Sequence, residues 1–239
     1  MKRFTFTLVL GAACLLLSAH AQAESPKRMM LEIHAGPYAP QIDRAFADTS
    51  PYHDIFGREE MIMVGAHLDY QLFQEYGSVA IGGGARFGFV DGQALDSGGS
   101  PTGDTTTLYT IPLTLSVTYR FDMPVVYWDI PLVPYVKAGL TATLWWITNG
   151  KGEVANAYDL EGVGRVAQGS TFGFHAGGGL QIHLDWISES MAAEFDNEVG
   201  VNNSYIFFEY AYHGVNDFGS RTSFDLGDDT FSAGLMFEF

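Results

Sequence analysis

The chain has 239 residues and a formal net charge of −16, yet only 17% of its residues are charged, against 14% aromatics and 28 glycines. So negative a surface argues against nucleic acid or an anionic headgroup as the main partner. Many aromatics and glycines with few charges suit strands better than helices.

Residues 1–23 read as a secretory signal peptide: a basic start (Lys2, Arg3), an apolar core and an Ala21-Gln22-Ala23 cleavage site. A lipoprotein reading at Cys14 is poor, because Leu15, Leu16 and Leu17 continue the apolar run beyond it. Cys14 is the single cysteine, so residues 24–239 are expected to carry no disulfide and no thiolate-bound metal. No later stretch supplies the ~18 apolar residues of a spanning helix. Residues 24–239 are predicted to form one domain.

Eight segments in that domain alternate with a side-chain period of two, which marks strands with one apolar and one polar face. In chain order they are 29–36, 60–72, 78–90, 107–121, 133–147, 171–184, 204–215 and 229–239. The fourth is the cleanest, setting Tyr109, Ile111, Leu113, Leu115, Val117, Tyr119 and Phe121 against Thr110, Thr114, Ser116, Thr118 and Arg120. The last sets Phe231, Ala233, Leu235, Phe237 and Phe239 against Ser232, Gly234 and Glu238, and finishes on an aromatic residue. Its spacing of Ser232, Gly234, Phe237 and Phe239 resembles the C-terminal signal read by the outer-membrane barrel assembly machinery.

The connections alternate in kind. Long segments (37–59, 91–106, 148–170 and 216–228) lie at one end, and shorter ones, including the proline-rich 122–132, lie at the other. The exception at the short end is 186–196, where Ile187, Met191 and Phe195 recur every four residues. It reads as a short periplasmic helix capping the rim. An even strand count with this asymmetry is the organisation of a bacterial membrane barrel.

Alternation alone does not separate such a barrel from a soluble lipocalin-like one with the faces exchanged. Three features favour the membrane. Aromatics gather at both ends of the apolar face, as Phe89, Tyr109, Trp146, Phe172 and Tyr212, and as Tyr70, Tyr119, Phe121 and Phe239. Glycines crowd the polar face. That face also carries three cations (Arg86, Arg120, Lys137) against four carboxylates (Glu32, Asp69, Glu209, Glu238), close to the balance that buried charges require. The fold class predicted is all-β: an eight-stranded antiparallel transmembrane β-barrel with one short periplasmic helix. Asp69, Arg120, Lys137 and Glu238 are expected toward the periplasmic end of the lumen, with Arg86 and Glu209 higher up.

The runs G-P-Y-x-P-x-I-D from Gly36, P-Y-x-x-x-F-G from Pro51, Y-R-F-D from Tyr119 and I-P-L-V-P-Y-x-K-x-G-L from Ile130 resemble a family of small outer-membrane β-barrels seen in myxobacteria. More loosely, the architecture is similar to eight-stranded barrels of the OmpA/OmpX type. The resemblance implies an outer-membrane location and no assigned activity.

Little in the residues points to chemistry. Five histidines (His34, His67, His175, His183, His213) share the polar parity, but no H-x-H or H-E-x-x-H spacing fixes metal ligands, and a hydrogen-bonded lumen accounts for them better. A lipid hydrolase or acyltransferase would need groups such as His213 with Ser220 and Glu209, or His175 with Ser170; neither set lies in a nucleophile turn. The glycine runs at 82–84 and 177–179 sit mid-strand and are not phosphate loops. Acidic loop residues, among them Asp43, Asp225, Asp228 and Asp229, read as a solvated surface or as carboxylates bridging divalent cations to lipopolysaccharide. The expected role is non-enzymatic, either structural in the envelope or a surface interaction through four long loops, with no cofactor. The alternatives are a narrow pore and, behind it, a lipid-modifying enzyme. The expected partners are outer-membrane lipids, lipopolysaccharide and the barrel assembly machinery, with the surface ligand unspecified.

Overall fold

Strand alternation closes on itself in the computed structural model, which describes residues 28–46, 49–57, 60–96, 98–158, 164–185, 200–220 and 223–239. The barrel strands are β1 (Met29–Tyr38), β2 (Met61–Phe73), β3 (Ser78–Leu95), β4 (Pro101–Arg120), β5 (Leu132–Thr148), β8 (Gln168–His183), β9 (Asn203–Val215) and β10 (Asp228–Glu238). Each pairs antiparallel with its neighbour, and β1 also pairs with β10, so no edge remains. A small hairpin of β6 (Asn156–Tyr158) and β7 (Gly164–Val166) projects from the β5–β8 connection. The signal peptide (1–23) and the helix expected at 186–196 lie outside the described residues.

The two faces separate as a period of two requires. Ile62, Val64, Leu115, Val117, Val136, Leu140 and Phe208 are all more than half exposed on the outside. Inside, Glu32, Asp69, Thr110, Ser116, Thr118, Arg120, Lys137, Thr141 and Gln181 are buried. Apolar outside, polar inside and closed without an edge is the only form in which strands cross lipid. The barrel is transmembrane by that construction.

Aromatic side chains on the outer face meet toward the end with the long connections: Tyr109 stacks on Trp146 at 5.1 Å and Phe89 lies 5.9 Å from Tyr109. Near the other end, Tyr70 and Tyr119 are exposed, whereas Phe121 and Phe239 are half-buried. That end, which carries both strand termini of the barrel, is called the terminal end below, and its opposite the loop end.

Three connections depart from the expected pattern. The segment 91–106 is not a loop for most of its length. β3 and β4 run on as a paired hairpin, and Asp96 turns it by accepting from the amides of Gly98 and Ser100. Strand pairing outlasts the barrel because threonines 105–107 suit an extended ladder even above the membrane. At the terminal end, the connection after β4 winds into a short helix, α2 (Met123–Trp128), with Pro124 in its first turn and Asp129 left-handed at its end. Val126, Tyr127 and Trp128 on it are exposed, a composition suited to the membrane–water boundary. In the first long connection, a 3-10 turn (Ile42–Ala45) and helix α1 (Pro51–Phe56) fold back over the barrel mouth.

Candidate functional site

The lumen is built in layers, each set by where an inward position falls along its strand. Nearest the terminal end, Arg120 Nη1 lies 3.3 Å from Glu238 Oε1. Arg120 Nε donates to Gln181 Oε1 at 2.8 Å, and its guanidinium sits 5.1 Å above the Tyr205 ring. Gln71 and Asn203 donate to the two Glu238 oxygens at 2.6 and 2.7 Å. A long, planar cation is needed here, because one guanidinium reaches an amide, a carboxylate and a ring together.

Interleaved with this layer and reaching above it is a buried apolar cluster of Met30, Ala80, Val133, Tyr135, Tyr205, Phe207 and Met236, with Met30 Sδ 3.1 Å from Arg120 Nη1. A second charge layer follows. Lys137 Nζ lies 2.6 Å from Glu32 Oε2 and 3.6 Å from Glu209 Oε2, and Tyr135 donates its hydroxyl to Glu209 at 3.0 Å. Asp69 Oδ1 is 3.4 Å from His67 Nε2 and accepts from Thr118 at 3.5 Å. The seven charges therefore do not form one cluster. Arg120 and Glu238 are separated from Lys137, Glu32 and Glu209 by methionine and aromatic side chains. Glu209, expected higher up with Arg86, turns instead to Lys137.

Arg86 stands in the next layer, among histidines. Its Nη2 lies 3.2 Å from His213 Nε2. Because arginine only donates, that ring nitrogen accepts, which places the His213 proton on Nδ1. His175 is held between Ser116 Oγ and Thr141 Oγ1, each at 2.9 Å, and its ring stacks 5.7 Å from that of His213. A cavity of about 30 Å³ lies between His34, His67, Arg86, His175 and His213. That is room for a couple of waters. Among the described residues, no group of three or more histidine or acidic side chains is arranged to hold a metal ion.

The serine–histidine sets weighed for hydrolysis do not assemble. His175 is satisfied by Ser116 and Thr141, with Ser170 exposed, and His213 is engaged by Arg86, with Ser220 exposed in the loop beyond β9.

The lumen is closed at the loop end by apolar side chains on inward positions. Tyr38, Ile42, Tyr52, Phe56, Met61, Met63, Val90, Leu108, Val215 and Leu226 form a buried apolar cluster. Met61, Met63 and Leu108 share strand parity with His67, Asp69 and Thr110, so the signal was present. These apolar inward positions depart from the expectation of a lumen polar along its whole height.

The closing seam carries the residues matched to the assembly signal. Phe239 donates its amide to Met29 at 2.8 Å and accepts from Arg28 at 2.8 Å and Met29 at 3.2 Å. Gly234 faces β1 so closely that a Cβ there would meet the Ile33 carbonyl oxygen at 2.1 Å. Ser232 and Phe237 pair with Glu209 and Ser204 of β9.

Many loop carboxylates are occupied within the chain. Asp43 accepts from the Tyr52 and His53 amides at the start of α1, Asp217 from Phe172, Asp225 from Gly227, and Asp228 from Ala39. At the opposite end, outside the spanning strands, Asp122 has its carboxyl pushed above the ordinary carboxylate range by burial, which Arg120 only partly offsets.

Fold and lumen together define a closed eight-stranded membrane barrel filled by its own side chains. No protein-family model matches the chain, and no curated protein matches it. Among solved structures it is similar to the Neisserial surface protein NspA, at 13% identity, with 90% of this chain and 98% of that one covered and a TM-score of 0.45. It is similar also to OprG of Pseudomonas aeruginosa, at 11% identity, 91% and 99% coverage and a TM-score of 0.47. The attachment invasion locus protein Ail of Yersinia pestis matches at 10% identity, 89% and 97% coverage and a TM-score of 0.41. At these scores and identities the likenesses carry no information on what the chain binds or does.

Proposed function

We propose that the protein is a non-enzymatic, non-conducting barrel of the bacterial outer membrane that acts through its loop end. In this reading the terminal end is periplasmic and the four long connections are extracellular. The observation that carries it is the pair of apolar layers across the lumen, one around Met30, Phe207 and Met236 and one around Met61, Met63 and Leu108. Between them Lys137 is matched by Glu32 and Glu209, and the space beside Arg86 and the histidines is only about 30 Å³. Ions do not cross a dry layer without a hydrated path.

Its partners in this reading are outer-membrane lipids and lipopolysaccharide around the aromatic ends, and the barrel assembly machinery during insertion. Phe239, aromatic and tied to β1, supports the latter, and the motifs resembling the myxobacterial family support the location. Planar-bilayer recording is the direct test. Purified protein should show no conductance above background, and stable channel events would replace this reading with a pore. Fractionation with heat-modifiable gel mobility tests the location: the folded species should be recovered with outer membranes, and recovery in the soluble periplasm would end the proposal.

A further inference from the structure

Among the residues of the apolar cluster that closes the mouth lies a partly open cavity of about 180 Å³ whose facing surface is apolar. One side is the folded-back first connection, contributing Phe46, Tyr52, Ile55 and Phe56; the other is the barrel rim and last connection, contributing Trp145 and Phe224. These aromatics already pack as a cluster. Tyr52 and Phe56 have centroids 5.2 Å apart, and Trp145 and Phe224 4.7 Å apart.

Both walls are fixed by hydrogen bonds, so the cavity is not a gap between loose loops. The Asp43 carboxylate holds the amides that open α1. The last connection is tied down by Tyr38, which donates its buried hydroxyl to the Leu226 carbonyl at 2.6 Å, and by the Gln41 amide on Gly227 at 3.2 Å. α1 approaches β3 so closely at Gly92 that a Cβ there would meet the Ile55 carbonyl oxygen at 2.3 Å. An unfilled apolar void costs stability in proportion to its size. Here the contacts that fix both walls keep the space open.

We infer that this cavity is a binding site for a small apolar ring molecule, of the size and chemistry of a monocyclic aromatic hydrocarbon. The surface facing this partly open cavity is apolar and so favours an apolar occupant, and an apolar cavity of about 150 Å³ accepts benzene. Aromatic walls favour a ring over a chain, since edge and face contacts add to area burial. A hydroxyl on the ring loses its hydrogen bonds to water and regains none, so phenols are rejected.

The test uses the full chain in lipid nanodiscs with fluorobenzene as the ¹⁹F NMR probe. A saturable shift is expected, displaced by toluene and at least tenfold less well by phenol. Ile55→Trp, which fills the cavity, should abolish saturation while keeping heat-modifiable gel mobility; Ile55→Phe serves the same purpose if the larger residue prevents folding. Phe224→Ala should enlarge the site and shift preference toward naphthalene. Unsaturable partitioning that is identical in the wild type and a folded Ile55 variant would overturn the inference, as would displacement by phenol equal to that by toluene, or by n-hexane better than by toluene.

Discussion

The lumenal charges differ in how much each depends on its partner. Arg120 is 1% exposed and bound at once to Glu238, Gln181 and Tyr205. Replacing it with methionine leaves Glu238 buried without its cation, a loss of about 3–5 kcal/mol where a buried pair is broken on one side. Arg120→Met/Glu238→Gln removes the charge as well and should recover a large part of that loss, as read from urea midpoints in lipid vesicles. Equal loss in single and double variants would mean the pair is not what holds this layer. Glu238→Ala should weaken the fold and leave insertion intact. Asp122 offers a pH test. Its native pKa lies above the unfolded one, so the native state holds the proton more tightly. The stability this contributes is complete below the unfolded value and is lost as pH rises through the native value. Relative to Asp122→Asn, the wild type should therefore lose urea midpoint as pH rises above the ordinary carboxylate range.

Among the elements, the closing pair β1–β10 is the shortest ladder of the barrel. Its register runs from Met30 opposite Glu238 to Ala35 opposite Ala233, and Phe239 adds backbone bonds beyond the ladder. Deleting Phe239 removes those bonds and the terminal aromatic ring, so the folded yield after refolding into vesicles should drop several-fold. The gel-mobility difference between heated and unheated samples reports it, and unchanged yield would separate the residue from assembly. Gly234→Val should act more severely, because a branched Cβ cannot fit against the Ile33 carbonyl. The connections are elements in their own right. α1 and the 3-10 turn make the lid over the mouth, and α2 presents Tyr127 and Trp128 at the terminal rim.

Taken whole, the molecule is a stack of alternating layers inside a greasy wall. The Arg120–Glu238 pair is set in an apolar disc at the terminal end, followed by the lysine–carboxylate layer and the histidines, then the apolar mouth. This order predicts that widening one disc is not enough to open the barrel. Met63→Ala should remain non-conducting in planar bilayers. Only a variant that also thins the lower disc, such as Met63→Ala/Met30→Ala/Phe207→Ala, should pass measurable current. Conductance by the single variant would show that the lower disc is no barrier.

Strand number, face and approximate bounds were legible in the residues, because parity is a local property and each strand carries its own record of which side is wet. The eight segments read from alternation match the eight barrel strands to within a few residues, except where β3 and β4 continue beyond the membrane. The types of residue facing inward were equally legible. Which of them meet was not. Lys137 and Glu32 are 105 positions apart in the chain, and Arg120 and Glu238 are 118 apart. Their meeting depends on strand stagger and side-chain reach across a closed lumen, neither of which leaves a trace in a single strand. The separation into layers, the pairing of Glu209 with Lys137, and the folding of α1 over the mouth arise the same way. They are settled by packing between distant segments, which is a property of the closed barrel as a whole.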